Sequence, residues 1–154
     1  MGLTDSEREE ILALTDKNEA NDKVIIPILV DFDGTVVEHD YPRIGKENKD
    51  AVRVMRKFID LYNVGFILNS TRSGDLTKAA VDWFNERGIK LYGVGLNPSQ
   101  QSWTSTTKGY GLFSIDDINV GCPLIYEKGK RPRVDWNEVE RILEPQLKRI
   151  SSIL

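Results

Sequence analysis

Ile28-Leu29-Val30-Asp31-Phe32-Asp33-Gly34-Thr35 joins an apolar run to two carboxylates, a glycine and a hydroxyl. The run reads as a buried strand, and the glycine marks the turn that ends it. Side chains alternate along a strand, but once the chain turns, Asp31 and Asp33 can converge on one cation. Two such charges buried without compensation are very costly, so a metal ion or a proton is expected beside them. In open α/β sheets, ligands gather outside the strand C-termini, where this pair falls.

Working outward, the pattern alternates strands and helices. Pro27 cannot donate to a ladder, so the spacing predicts that the regular first strand begins at Ile28 within the run 24–30. The residues 36–46 lack a period and read as a flap beside the carboxylates. Ala51, Val52, Met55, Phe58, Ile59 and Tyr62 recur at helical spacing. Val64–Leu68 reads as a second strand, ending at Asn69-Ser70-Thr71-Arg72. Asp75 is expected to cap a helix with Leu76, Ala79, Ala80, Trp83 and Phe84 on its apolar face, stopped by Gly88. Lys90–Val94 and Leu112–Ile115 are expected strands, separated by a polar loop over 97–109. Pro123–Tyr126 is a short fifth. Asp135, with Glu138 three residues on, starts a last helix over Val139, Ile142 and Leu143; Pro145 interrupts it, and Leu147, Ile150 and Ile153 continue the spacing.

This alternation predicts βαβ units, right-handed crossovers and a mainly parallel five-stranded sheet in a three-layer Rossmann-like α/β fold. In such a sheet Asp33, Ser70 and Asp117 reach one edge despite their separation in sequence. Residues 24–154 form the expected single domain. Residues 1–23 read as a short helix, from the capping-box spacing of Thr4 and Glu7 with Ile11, Leu12 and Leu14, followed by a polar linker.

The 154 residues carry 21 Lys and Arg against 24 Asp and Glu, a net charge of −3. That balance offers no global attraction to nucleic acid or anionic membrane. No apolar run approaches the ~20 residues that span a bilayer. The polar, acidic stretch 1–10 does not resemble a signal peptide. One cysteine, Cys122, excludes an intramolecular disulfide and suits a reducing compartment. Cytoplasmic location is the resulting expectation. Bland readings stand beside the chemical ones. Asp-x-Asp-Gly also opens calcium loops, although the rest of that twelve-residue pattern is absent. Trp83 reads as core, Cys122 as a small packed residue, and the basic run Lys128–Arg133 as a solvated turn or a phosphate contact.

Asp31-Phe32-Asp33-Gly34-Thr35, Ser70, Lys108 and Ile115-Asp116-Asp117 resemble, in order and spacing, the four motifs of the haloacid dehalogenase (HAD) superfamily of Mg²⁺-dependent phosphohydrolases. The resemblance covers about residues 24–126. It implies Asp31 as the nucleophile that forms an aspartyl-phosphate. Asp33 would be the general acid and then the base, its carbonyl contacting the metal. Ser70 and Lys108 would bind the phosphoryl group, and Asp117, with Asp116 as neighbour or alternative, would complete the Mg²⁺ site. The Phe32 and Gly34 amides would face developing negative charge. An Asp at position 33 fits the phosphatases rather than the dehalogenases.

Only 36 residues (34–69) separate Asp33 from Ser70, too few for a cap domain. A capless member would act on a large phosphorylated substrate, or borrow a lid from a second subunit in a homo-oligomer. The expected function is a Mg²⁺-dependent phosphomonoesterase on a small molecule or a macromolecular end. An end-processing phosphatase for nucleic acid, and a non-catalytic HAD-fold binding protein, are the alternatives. His39 reads as a surface flap residue or a leaving-group contact. Arg43 and Arg72 either grip substrate or pair with nearby acids, and Trp103 is a candidate for stacking on a substrate ring.

Overall fold

The structure, a computed structural model, describes residues 17–18 and 23–154; the expected N-terminal helix lies outside them. Two short strands, β1 (Lys17–Asn18) and β2 (Lys23–Val24), pair antiparallel. Then follow β3 (Ile26–Val30), α1 (Ala51–Tyr62), β4 (Val64–Leu68), α2 (Asp75–Glu86) and β5 (Gly93–Val94). A 3-10 turn (Pro98–Gln100), β6 (Phe113–Ile115), β7 (Leu124–Ile125), β8 (Arg133–Val134) and α3 (Trp136–Ile153) complete the chain.

Among the described residues, the parallel sheet has four strands in the order β5-β4-β3-β6. The expected fifth is β7, which instead pairs antiparallel with β8 as a separate ribbon. Pro27 lies inside β3, one residue earlier than the expected strand start allows. Its carbonyl accepts from Leu112 N–H (2.8 Å), so its nitrogen faces the β6 side below the first β6 pairing, at Ile28 and Phe113. The missing donor therefore costs no ladder bond.

One face of the sheet, Ile26, Ile28 and Val30 with Val64, Phe66 and Leu68 in register, belongs to a single buried cluster. Val54, Met55 and Phe58 of α1, Ala80, Trp83 and Phe84 of α2, and Val139, Leu143, Leu147 and Ile150 of α3 close over it. On the opposite face, Leu29 is approached by the loop at Gly109 and Gly111 rather than by a helix. α1 and α3 are also tied across their exposed edges by Arg53–Glu140 and Lys57–Glu144 ion pairs of 3.0 and 2.9 Å. The Asp135 side chain caps α3 by accepting from Glu138 N–H, and the helix runs through Pro145. At the start of α2, Gly74 occupies the cap position and Asp75 is the first helical residue. Cys122 packs against the core, and burial raises its thiol pKa, as suits an inert side chain.

Candidate metal and phosphate site at the sheet edge

The C-terminal ends of β3, β4 and β6 converge. Asp31 N–H donates to Ile115 O (3.0 Å) and Asn69 N–H to Val30 O (2.8 Å), which places Asp31, Ser70 and Asp116 around one edge. After Asp31 the chain winds tightly around a single acceptor: Thr35, Val36 and Val37 all donate N–H to Phe32 O at 3.1, 2.9 and 3.2 Å. Phe32 anchors this loop, its buried ring edge-on to Trp83 and tilted against Phe84. Gly34 makes the winding feasible. It has φ +81°, and a Cβ there would overlap His39 Nε2 and stand 2.6 Å from Asp117 Oδ2.

Thr35 is the bracket that holds the acidic residues together. Fully buried, it donates Oγ1–H to Asp31 Oδ2 (2.9 Å) and accepts from Asp117 N–H at the same oxygen (3.2 Å). Its carbonyl accepts from Asn48 Nδ2 (2.9 Å) and from the Trp136 indole (2.8 Å). Asp31, Asp116 and Asp117 each offer a carboxylate oxygen, and these lie within 4.8 Å of one another. The trio lines a cavity of about 470 Å³ that it shares with Asp33, His39 and Ser70.

Burial and crowding shift the chemistry of two of these carboxylates, Asp31 and Asp116. Burial, and next the charge of Asp116, push the Asp31 carboxyl from 3.8 to about 7, against the opposing hydrogen bonds from Phe32 N–H and Thr35. Asp116 is raised as well, first by burial and then by contact with Asp117. A positive charge placed among the three oxygens removes this repulsion. A set made only of carboxylate oxygens fits a hard divalent cation that prefers oxygen and retains water.

Asp33 lines the same cavity but is held by a different partner. Both of its oxygens accept from Arg72, Oδ2 from Nε at 2.8 Å and Oδ1 from Nη2 at 2.7 Å. The Arg72 side chain is wholly buried, 5.1 Å from the Phe32 ring centroid and 5.3 Å from that of Tyr41. Its remaining donors reach the flap carbonyls of Pro42 (3.1 Å) and Arg43 (2.8 Å). Arg72 therefore pairs with an acid, the second of its two sequence readings, and also locks the flap over Asp33. The pairing holds the arginine's own pKa above its ordinary value. His39 is turned inward, Nε2 lying 3.0 Å from Asp117 Oδ2 with the side chain only 15% exposed, so it belongs to the site rather than to the flap surface.

Several expected residues are placed elsewhere. Lys108 is exposed and does not line the cavity; its carbonyl accepts from Gln100 Nε2 (2.6 Å). Trp103 is 46% exposed and stacks edge-on with Tyr110, away from the cavity. The Arg43 side chain pairs with Asp40 (2.8 Å) on the surface. The Gly34 amide donates to Val37 O (2.8 Å), which commits it to the loop. Ser70 does line the cavity, and its Oγ accepts from Arg72 N–H (3.1 Å). The sequence assigns Thr35 no role beyond its place four residues after Asp31. It offers Arg131, which reaches the cavity from the β7–β8 turn, only as one member of the basic run Lys128–Arg133. Tyr41, Asn69, Thr71 and Ile118 line the cavity as well.

No protein-family model and no curated protein matches the chain. No helix among the described residues is long and apolar enough to cross a membrane. The chain is similar to a solved structure, that of a conserved protein coded by a locus of Bacteroides thetaiotaomicron. The two share 34% identity over 79% of this chain and 91% of that one, with a TM-score of 0.63. The chain belongs to the same family as that conserved Bacteroides protein.

Proposed function

We propose that this protein is a capless, HAD-like phosphomonoesterase that works through an aspartyl-phosphate on Asp31. The observation that carries the reading is the trio Asp31, Asp116 and Asp117, gathered within 4.8 Å in the cavity that also holds Asp33 and Ser70. Asp31, Asp116 and Asp117 would hold a Mg²⁺ ion, which when bound supplies charge neutralisation for a phosphoryl group.

The residues divide the work. Asp31, oriented by Thr35, attacks phosphorus as a carboxylate; the P–O bond to the leaving group breaks, and Asp33 supplies that oxygen with a proton. Water then attacks phosphorus with Asp33 accepting its proton, which frees inorganic phosphate and restores Asp31. Once Asp33 has given its proton to the leaving group, the two hydrogen bonds from Arg72 hold the resulting carboxylate in place to take the next proton from water. The Ser70 hydroxyl is available to the phosphoryl oxygens. His39 steadies Asp117. Because Lys108 lies outside the cavity, the fixed cation expected against the phosphoryl group is not among this site's duties for that residue in the conformation described.

The test is a phosphomonoester screen of the wild type and Asp31→Asn, with Mg²⁺ and with chelator. Activity that needs both the metal and Asp31 supports the reading; equal turnover by the variant removes the covalent route.

A further inference from the structure

We infer that Arg131 forms a second anion subsite at the cavity mouth, so that the preferred substrate is a phosphomonoester whose leaving group carries a further carboxylate or phosphate. This rests on the phosphomonoesterase reading for the reacting group. Arg131 is the one lysine or arginine lining the cavity among the described residues, and no described acidic side chain pairs with it. Its neighbours are already neutralised: Lys130 pairs with Glu38 (3.0 Å) and Arg133 with Glu127 (3.0 Å). Arg131 is thus left as the cation that this turn brings to the cavity without an acidic partner.

The turn is also held in place. Three residues beyond Arg131, Val134 is fully buried and donates N–H to Gly34 O (3.0 Å), while its carbonyl accepts from Asn48 Nδ2 (2.7 Å). The Lys130–Glu38 pair ties the same turn to the flap. Arg131 is therefore registered to the loop that carries Asp31 and Asp33, through contacts that involve neither carboxylate. Its exposure puts it at the rim, whereas Asp31 and Ser70 are half-buried below. A phosphoryl group reacting at Asp31 is thus too deep for the rim position to be its main partner. An anion on the outward-facing leaving group meets the guanidinium, which binds carboxylate or phosphate in a two-pronged geometry.

A matched pair of non-hydrolysable probes separates the two groups: propylphosphonate and 3-phosphonopropionate, which differ in a terminal methyl or carboxylate. Calorimetric titration of the full chain with Mg²⁺ should show the wild type binding 3-phosphonopropionate about fivefold more tightly than propylphosphonate, as suits a half-exposed ion pair. Arg131→Gln should bring that ratio near one, and Arg131→Lys should keep most of it. A wild-type ratio near one, a ratio unchanged in Arg131→Gln, or no binding of either probe overturns the subsite. Failure of the function reading shows separately, as absence of phosphomonoester hydrolysis while the probe ratio persists.

Discussion

Replacing Asp31 with asparagine should stabilise the metal-free protein at alkaline pH, an unusual outcome for a half-buried polar substitution. With the carboxyl raised from 3.8 to about 7, the folded state holds a proton that the unfolded chain has released. Between those two pH values the native state binds more protons, so stability falls as pH rises through the window and levels off above about pH 7. A carboxyl moved from 3.8 to about 7 corresponds to at most roughly 4 kcal/mol. Asparagine keeps an oxygen to accept from Thr35 and carries no charge, so the variant should lack this slope. The assay is urea unfolding with chelator from pH 4.5 to 8.5, read by fluorescence of the buried Trp83 and Trp136. The difference in unfolding free energy, variant minus wild type, should grow by up to about 4 kcal/mol across the window. Parallel curves, or a variant that becomes relatively less stable as pH rises, would refute the carboxylate-crowding argument. Added Mg²⁺ should then stabilise the wild type, more at pH 8 than at pH 5, and leave Asp31→Asn nearly unmoved.

Other consequences follow from the bracket, the clamp and the glycine. Thr35→Val strands the Asp117 amide, so chemical denaturation should show a loss of about 1–3 kcal/mol, while Thr35→Ser keeps most of the stability. Arg72→Ala leaves Asp33 and two flap carbonyls without their partner, and denaturation should register about 3–5 kcal/mol; limited proteolysis should cut the flap near Pro42 faster than in the wild type. Gly34→Ala places a methyl group against His39 at a positive φ, and should lower the unfolding midpoint along with Mg²⁺ affinity. Lys108→Ala should change phosphomonoester kcat/KM less than tenfold, since the lysine lies off the cavity; a larger loss would show that the 97–109 loop closes onto the substrate.

The framework was legible because it is written in local patterns. Val64–Leu68 is continuously apolar and buried throughout, and the α1 periodicity matches the helix from Ala51 to Tyr62. The junction after Val30 announced a charged site for the same reason, since strand, turn and carboxylates are contiguous. The strand within Pro123–Tyr126 is present, but the start of the first strand at Pro27 and the sheet that Leu124–Ile125 joins depend on partners: the level at which β6 begins, and the availability of β8. Arg72 and His39 are read correctly only once folding brings Asp33 within 2.8 Å of one and Asp117 within 3.0 Å of the other. Lys108 takes its expected role only from the resemblance of motif order and spacing, which says nothing about the direction in which a loop presents a side chain. Thr35 shows the intermediate case. Its position beside Asp31 was visible, but its bond to the backbone of Asp117, 82 residues away, was not.

The most direct measurement is to acid-quench the wild type during turnover of p-nitrophenyl phosphate with Mg²⁺ and locate any phosphoryl adduct by peptide mass spectrometry. The account predicts a Mg²⁺-dependent adduct on Asp31, absent from Asp31→Asn and accumulated in Asp33→Asn, where water lacks its base. Steady turnover with no adduct at Asp31, undiminished in Asp31→Asn, would contradict it.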